Sequence, residues 1–252
     1  MKDRGLSAPV LFCGDPRRWE PAGHPPASAL YSGSMSPLNE PGLLRAVRRL
    51  AANDADLASV VAAHGPPPLW ARPPGFATLL YIILEQQVSL ASARAAYANL
   101  GGHLGRITPR SFLTVEDATL KRIGFSRQKA RYGRLLAEAV ATRRLRLADV
   151  HRAEDEEARS MLLELKGIGP WTADVYLLMA LRRPDVWPRG DIALEQALRE
   201  IKRLPQRPDP AMFEKLGRPW RPYRAAAARI LWHHYLSTPR TKGAQTASRQ
   251  AT

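Results

Sequence analysis

Two glycines separated by one residue, and a carboxylate 22 residues beyond the second, are the features of this 252-residue chain with most chemical promise. The stretch Leu165-Lys166-Gly167-Ile168-Gly169-Pro170-Trp171-Thr172-Ala173 lies between an apolar helical segment ending near Leu165 and another beginning near Pro170. Glycine at positions 167 and 169 permits a tight turn, with Ile168 pinned into the core between them. The N–H groups of this turn, together with the unpaired amides that open the next helix, form a site for an anion such as a DNA phosphate. Such a contact positions a polyanion without reading its sequence. Asp191 follows Gly190 and precedes the periodic run Leu194, Leu198, Ile201, a place where aspartate commonly caps a helix. The same helix end favours its ionised form, so capping is compatible with stabilising a developing positive charge or orienting a water. Asp174 and Asp185 are the competing acids. The first falls inside the helix after the hairpin and the second in a loop after Pro184, and both read as surface or structural groups.

Charge agrees with a polyanionic partner. The net charge is +15 with a pI near 10.7, which points to nucleic acid or an anionic membrane surface. Residues 1–36 contribute +1 and residues 239–252 contribute +3, so +11 lies between them. Arg122, Arg127, Lys129 and Arg131 surround one helix start, and Arg221 and Arg224 flank Pro222. Of these, Arg127, Lys129, Arg221 and Arg224 are the candidate phosphate contacts. The basic residues do not sit opposite a long apolar helical face, which argues against a membrane surface, and no apolar run approaches the roughly 20 residues of a bilayer span. The one cysteine, Cys13, cannot supply a disulfide framework, a Cys-based zinc site or an iron–sulfur cluster. His233 and His234 are adjacent and diverge by about 100° on a helix, so no zinc site is expected from them. A reduced, cytoplasmic and nucleoid-associated location is the expectation.

The elements that must hold these residues read as helices. Phe76, Leu79, Leu80, Ile83 and Leu84 recur at helical spacing, as do Leu135, Leu136, Ala139 and Val140, and Leu162, Leu163 and Leu165. Strand-type alternation is nearly absent. Thr114 lies three residues before Asp117 in the manner of a cap, Ser126 opens a basic helix, and Pro210 and Pro222 suit first helical turns. The spacing predicts an all-α domain of about nine or ten short helices over residues 37–238. A poorly ordered extension over 1–36 and a basic disordered tail over 239–252 complete the expected organisation.

The hairpin string as a whole resembles that of the helix-hairpin-helix DNA glycosylase superfamily, in which an essential aspartate stands where Asp191 does. Three further segments are similar to the alkylated-base branch, the 3-methyladenine DNA glycosylase II type. They are Leu84-Glu85-Gln86-Gln87-Val88-Ser89, Ile123-Gly124-Phe125-Ser126-Arg127-Gln128-Lys129-Ala130 and Trp220-Arg221-Pro222-Tyr223-Arg224, so the resemblance covers about 43–236.

The resemblance implies two lobes with a cleft between them, duplex DNA with damaged bases as partner, and a monomer that hydrolyses an N-glycosidic bond to initiate base excision repair. An ionised Asp191 would stabilise the oxocarbenium-like sugar and orient or deprotonate water. Bifunctional members carry a lysine two residues after the second hairpin glycine, where an amine attacks the sugar. Here that position is Trp171, which implies base excision without strand cleavage. Alkylated purines of the 3-methyladenine and 7-methylguanine type carry positive charge and favour aromatic faces. Trp232 matches a family pocket tryptophan by motif position, Trp171 reads as a core aromatic, a wall of the base pocket or both, and Trp187 and Tyr176 are weaker candidates. Gln87 aligns with the residue that fills the gap left by the flipped base. Gly167, Ile168, Gly169, Trp171 and Thr172 would grip phosphate. No cofactor is implied beyond a monovalent cation, Na or K, on the backbone carbonyls of Leu163, Leu165 and Ile168. A non-catalytic helix-hairpin-helix DNA-binding module is the alternative; it would need the hairpin but neither Asp191 nor the Gln-Gln-Val-Ser segment.

Overall fold

The structure, a computed structural model, describes residues 36–239. The expectations for 1–36 and 239–252 lie outside the described residues, except at Ser36 and Pro239. The chain forms α1 (Glu40–Asn53), α2 (Ala55–His64), α3 (Phe76–Glu85), α4 (Leu90–Leu104), α5 (Pro109–Leu113), α6 (Asp117–Arg122) and α7 (Arg127–Ala141). It continues through α8 (Leu147–Arg152), α9 (Asp155–Leu163), α10 (Pro170–Met179), α11 (Ile192–Ile201), α12 (Pro210–Gly217), a 3-10 turn (Arg218–Trp220) and α13 (Arg224–Ser237). Among the described residues there are thirteen α-helices and no strand, so the all-α class holds while the expected nine or ten is too low. The difference lies in α5, α6 and α8, five or six residues each, too short to show a full apolar period.

Caps set most boundaries. Ser126 accepts from Lys129 N, Asp209 from Met212 N ahead of Pro210, and Asp191 from Leu194 N. Two expected boundaries move. Thr114 ends α5 instead of opening α6, whose start falls after Glu116. Pro222 follows a cis peptide bond in the turn ahead of α13, not in its first turn.

Packing divides the helices into two lobes. α1, α2, α11, α12 and α13 pack on one another, and α3 through α10 form the second group. α10 and α13 meet across the lobes, α3 packs on α10, and all three are apolar nearly all round, as interior helices must be. They are buried at Ile82–Glu85 of α3, throughout Thr172–Met179 of α10, and throughout Ala225–Trp232 of α13. Four successive alanines, Ala225 to Ala228, let α13 approach closely. Fully buried Arg229 reaches from α13 to the carbonyl of Leu69 (2.7 Å), in the segment that crosses between lobes, and to that of Leu178 (3.0 Å) on α10.

Candidate active site

Asp191 is delivered to the lobe interface by a loop whose position is fixed by buried charge. Asp174 on α10 is fully buried; its Oδ1 accepts from Arg159 Nε of α9 at 2.6 Å and its Oδ2 from the Arg189 backbone N–H at 3.2 Å. One carboxylate therefore ties both helices of the hairpin to the loop that ends at Asp191, a structural role as the sequence indicates for this acid. Asp185, in the same loop, is held by Arg224, whose Nε and Nη2 donate to its carboxylate at 3.0 and 2.9 Å.

The Asp191 carboxylate is 0 % exposed and accepts three hydrogen bonds. Oδ1 receives Leu194 N (2.9 Å) and the indole N–H of Trp232 (3.2 Å), while Oδ2 receives the indole N–H of Trp171 (2.9 Å). Trp171 belongs to the first turn of α10 and Trp232 to α13, so the two lobes meet on one carboxylate. Burial raises the Asp191 pKa above the ordinary aspartate value, against the lowering effect of Trp171, Leu194 and Trp232. A strongly desolvated anion with oriented N–H donors is a suitable partner for a cation forming beside it.

The two hairpin glycines have different duties. Gly167 has φ +103°, and a Cβ there would lie 2.3 Å from Cγ of Tyr132, so glycine is required for both backbone and packing. Gly169 is extended, caps α10, and would meet nothing within 4 Å. It leaves its own N–H and those of Trp171 and Thr172 without helical acceptors at the positive end of the α10 dipole. Ile168 is buried as expected, but its N–H donates to the Leu165 carbonyl at 3.0 Å, which removes it from the outward-facing set. The Thr172 hydroxyl is likewise turned inward, accepting from Gln86 Nε2 at 2.9 Å.

Other expectations change with burial. Tyr176 is fully buried; its hydroxyl accepts from Gly75 N and bonds His151 Nε2, both at 2.9 Å, so it is a core residue and no pocket wall. Burial lowers the His151 pKa to about 4, so the ring that meets the tyrosine hydroxyl is neutral. Trp187 stacks on Phe213 at 4.5 Å and donates to the Phe213 carbonyl, so it anchors α12 and no pocket. Trp232 is also fully buried, its ring against Trp70 at 6.4 Å, and it meets the site through its N–H. Trp171 is the half-buried member of the pair on Asp191. Trp70 has φ +51°, and its neighbouring prolines signal only a loop, so nothing in the sequence marks it as a neighbour of Trp232.

Among the basic candidates, Arg127 and Arg221 are exposed. Arg224 is 12 % exposed and committed to Asp185. Lys129 donates to the Leu84 carbonyl at the end of α3, and burial lowers its pKa to about 8, so it braces that helix end in preference to facing outward. Gln87 stands exposed at the turn between α3 and α4 with φ +57°. A surface depression of about 540 Å³ beside α1, Pro184 and Tyr223 shares no residue with the Asp191 site.

Hairpin, carboxylate and two-lobed helical frame together define a class of DNA base excision protein. Residues 80–222 match the HhH-GPD superfamily of base excision DNA repair proteins, and the chain belongs to that superfamily. It is 31% identical over 126 residues to the alkylbase DNA glycosidase-like protein mag2 of Schizosaccharomyces pombe, covering 50% of this chain and 59% of that one. With the putative DNA-3-methyladenine glycosylase YfjP of Bacillus subtilis it shares 29% identity over 124 residues, covering 49% of this chain and 43% of that one. The chain thus spans about half the length of these two relatives. The solved structure of S. pombe 3-methyladenine DNA glycosylase Mag1 with abasic DNA superposes with a TM-score of 0.73 at 25% identity, covering 79% of this chain and all of that one.

Proposed function

We propose that the protein is a monofunctional DNA glycosylase that flips alkylated purines, of the 3-methyladenine and 7-methylguanine type, out of duplex DNA and hydrolyses the N-glycosidic bond. The observation that carries this reading is the buried Asp191 carboxylate under the indole N–H groups of Trp171 and Trp232. Asp191 would face the anomeric carbon, stabilise the oxocarbenium-like sugar as the base departs, and orient the water that completes hydrolysis. Trp171, half-buried, has to yield for a sugar to reach Oδ2, and its ring then offers an electron-rich face to a cationic base. With an indole at that position there is no amine to form an imine, so the DNA strand stays intact.

The amides of Gly169, Trp171 and Thr172 would hold a phosphate, and Gln87 would fill the gap in the stack. The carbonyls of Leu163, Leu165 and Ile168 would hold a monovalent cation linking hairpin to DNA. The neutral oxygens at the C-terminal end of α9 suit such an ion, although Leu165 already spends one lone pair on Ile168 N. Among the described residues no cluster of three or more His, Cys, Asp or Glu is placed to hold a metal ion, and no helix is long and apolar enough to cross a membrane. The enzyme would act as a monomer, cytoplasmic and nucleoid-associated.

The test is a release assay on methylated duplex DNA with the freed bases separated. Methylated purines should appear in solution, with abasic sites that break only on later alkali treatment and no adduct trapped by borohydride. DNA binding without base release would instead identify a non-catalytic helix-hairpin-helix module, and a trapped adduct would exclude the monofunctional chemistry.

A further inference from the structure

Gln86 connects two parts of the machinery that the sequence keeps about 80 residues apart. Its Nε2 donates to the carbonyl of Gly167 (2.9 Å), in the tight turn of the hairpin, and to Oγ1 of Thr172 (2.9 Å), in the first turn of α10. The next residue, Gln87, has φ +57°, a conformation that residues with a Cβ rarely hold without support from their surroundings. α7 backs the same junction from behind, with Lys129 Nζ on the Leu84 carbonyl and the Tyr132 side chain packed against Gly167.

We propose that Gln86 is a positioning residue that fixes the intercalating Gln87 relative to the phosphate-gripping hairpin, so that grip and plug engage the duplex in register. The inference rests on the reading of Gln87 as plug and of the hairpin as phosphate site. Its physical basis is that the hairpin fixes the DNA backbone, and the plug enters the stack only if its distance from that backbone is set. An error of about 1 Å in such an arrangement costs about a hundredfold in rate. The half-buried amide sets this distance through two hydrogen bonds that an apolar side chain of the same length cannot make.

The experiment is a cycle of Gln86→Met, Gln87→Ala and the double variant on a duplex carrying one 7-methylguanine beside a 2-aminopurine, whose fluorescence reports flipping. Gln86→Met should retain its circular dichroism spectrum, its affinity for undamaged duplex within about twofold and its salt dependence, while flipping and single-turnover excision fall about ten- to a hundredfold. The double variant should be little worse than Gln87→Ala alone, because the first residue acts through the second. Fully multiplicative losses, a loss of undamaged-duplex binding in Gln86→Met, or an unchanged flipping signal would each overturn the proposal. If Gln87→Ala itself flips normally, the plug reading falls and the coupling with it; if Gln87→Ala fails while Gln86→Met flips normally, only the coupling falls. Should Gln86→Met not fold, Gln86→Asn, one methylene too short to reach both acceptors, supplies the same comparison.

Discussion

The indole N–H of Trp171 donates to Oδ2 of Asp191 at 2.9 Å, while Oδ1 of the same carboxylate is taken by Leu194 N and Trp232. Replacing Asp191 with Asn keeps a capping oxygen but removes the charge and turns one acceptor into a donor. Single-turnover excision should fall by at least about a hundredfold, the scale of losing one preorganised electrostatic group. Lesion-DNA affinity and the circular dichroism spectrum should survive. A folded Asn variant that excises at the wild-type rate would reduce Asp191 to a helix cap.

The acid limb of the excision rate should lie above the ordinary aspartate pKa of about 3.9, because burial raises the Asp191 pKa. The active form is the anion, so the rate falls as pH drops through that raised value. Trp232→Phe deletes an N–H that favours the anion, and should move the limb to still higher pH. Single-turnover rates from pH 4 to 8 on one duplex measure both; a limb that stays in place in the Phe variant contradicts the role given to the indole.

Gly167→Ala and Gly169→Ala should separate folding from binding. At Gly167 the methyl combines a positive φ with a 2.3 Å clash on Tyr132, a cost of about 2–4 kcal/mol in a denaturant melt. At Gly169 the methyl meets nothing within 4 Å, and stability should change by less than about 0.5 kcal/mol. Any defect of Gly169→Ala should therefore appear in DNA affinity, measured by titration at fixed salt.

Duplex binding should weaken with salt at a log–log slope of roughly −4 to −5, corresponding to about five neutralised phosphates. Arg127→Gln, at an exposed position, should make the slope shallower by about 0.9. Arg224→Gln should leave the slope alone and lower the melting temperature, since its guanidinium is spent on Asp185. The reverse pattern would exclude Arg127 as a phosphate contact and place Arg224 at the DNA.

Much of this site is legible in the sequence, because its elements carry local constraints. The hairpin needs Gly167, Asp191 precedes an apolar-periodic helix, and Ser126 announces α7. What sequence does not decide is which face of a helix is covered. Tyr176 and Trp187 are aromatic residues in the catalytic half, yet one bonds His151 inside the core and the other underlies α12. Arg224 and Lys129 carry the charge expected of phosphate contacts, but their partners Asp185 and Leu84 are 39 and 45 residues away. Gln86 shows the same limit, since nothing in its neighbours reveals that its amide lies on the hairpin. Arg229 did leave a signal, a lone charge inside Ala225-Ala226-Ala227-Ala228-Arg229-Ile230-Leu231.

That arginine bears on how a nucleotide gains entry. Its guanidinium donates to the carbonyls of Ala225 on its own helix, Leu69 in the segment that crosses between the lobes, and Leu178 on α10. Separating α13 from α10 would cost the Leu178 hydrogen bond, about 1.5–3 kcal/mol for a bond to a charged group. That bond resists movement of α13 away from α10, so yielding of the half-buried Trp171 is the easier route to Asp191. Under the proposed function, part of the deformation needed for recognition would fall on the double helix, whose bending stiffness would enter lesion selection and favour weakly paired or kinked sites.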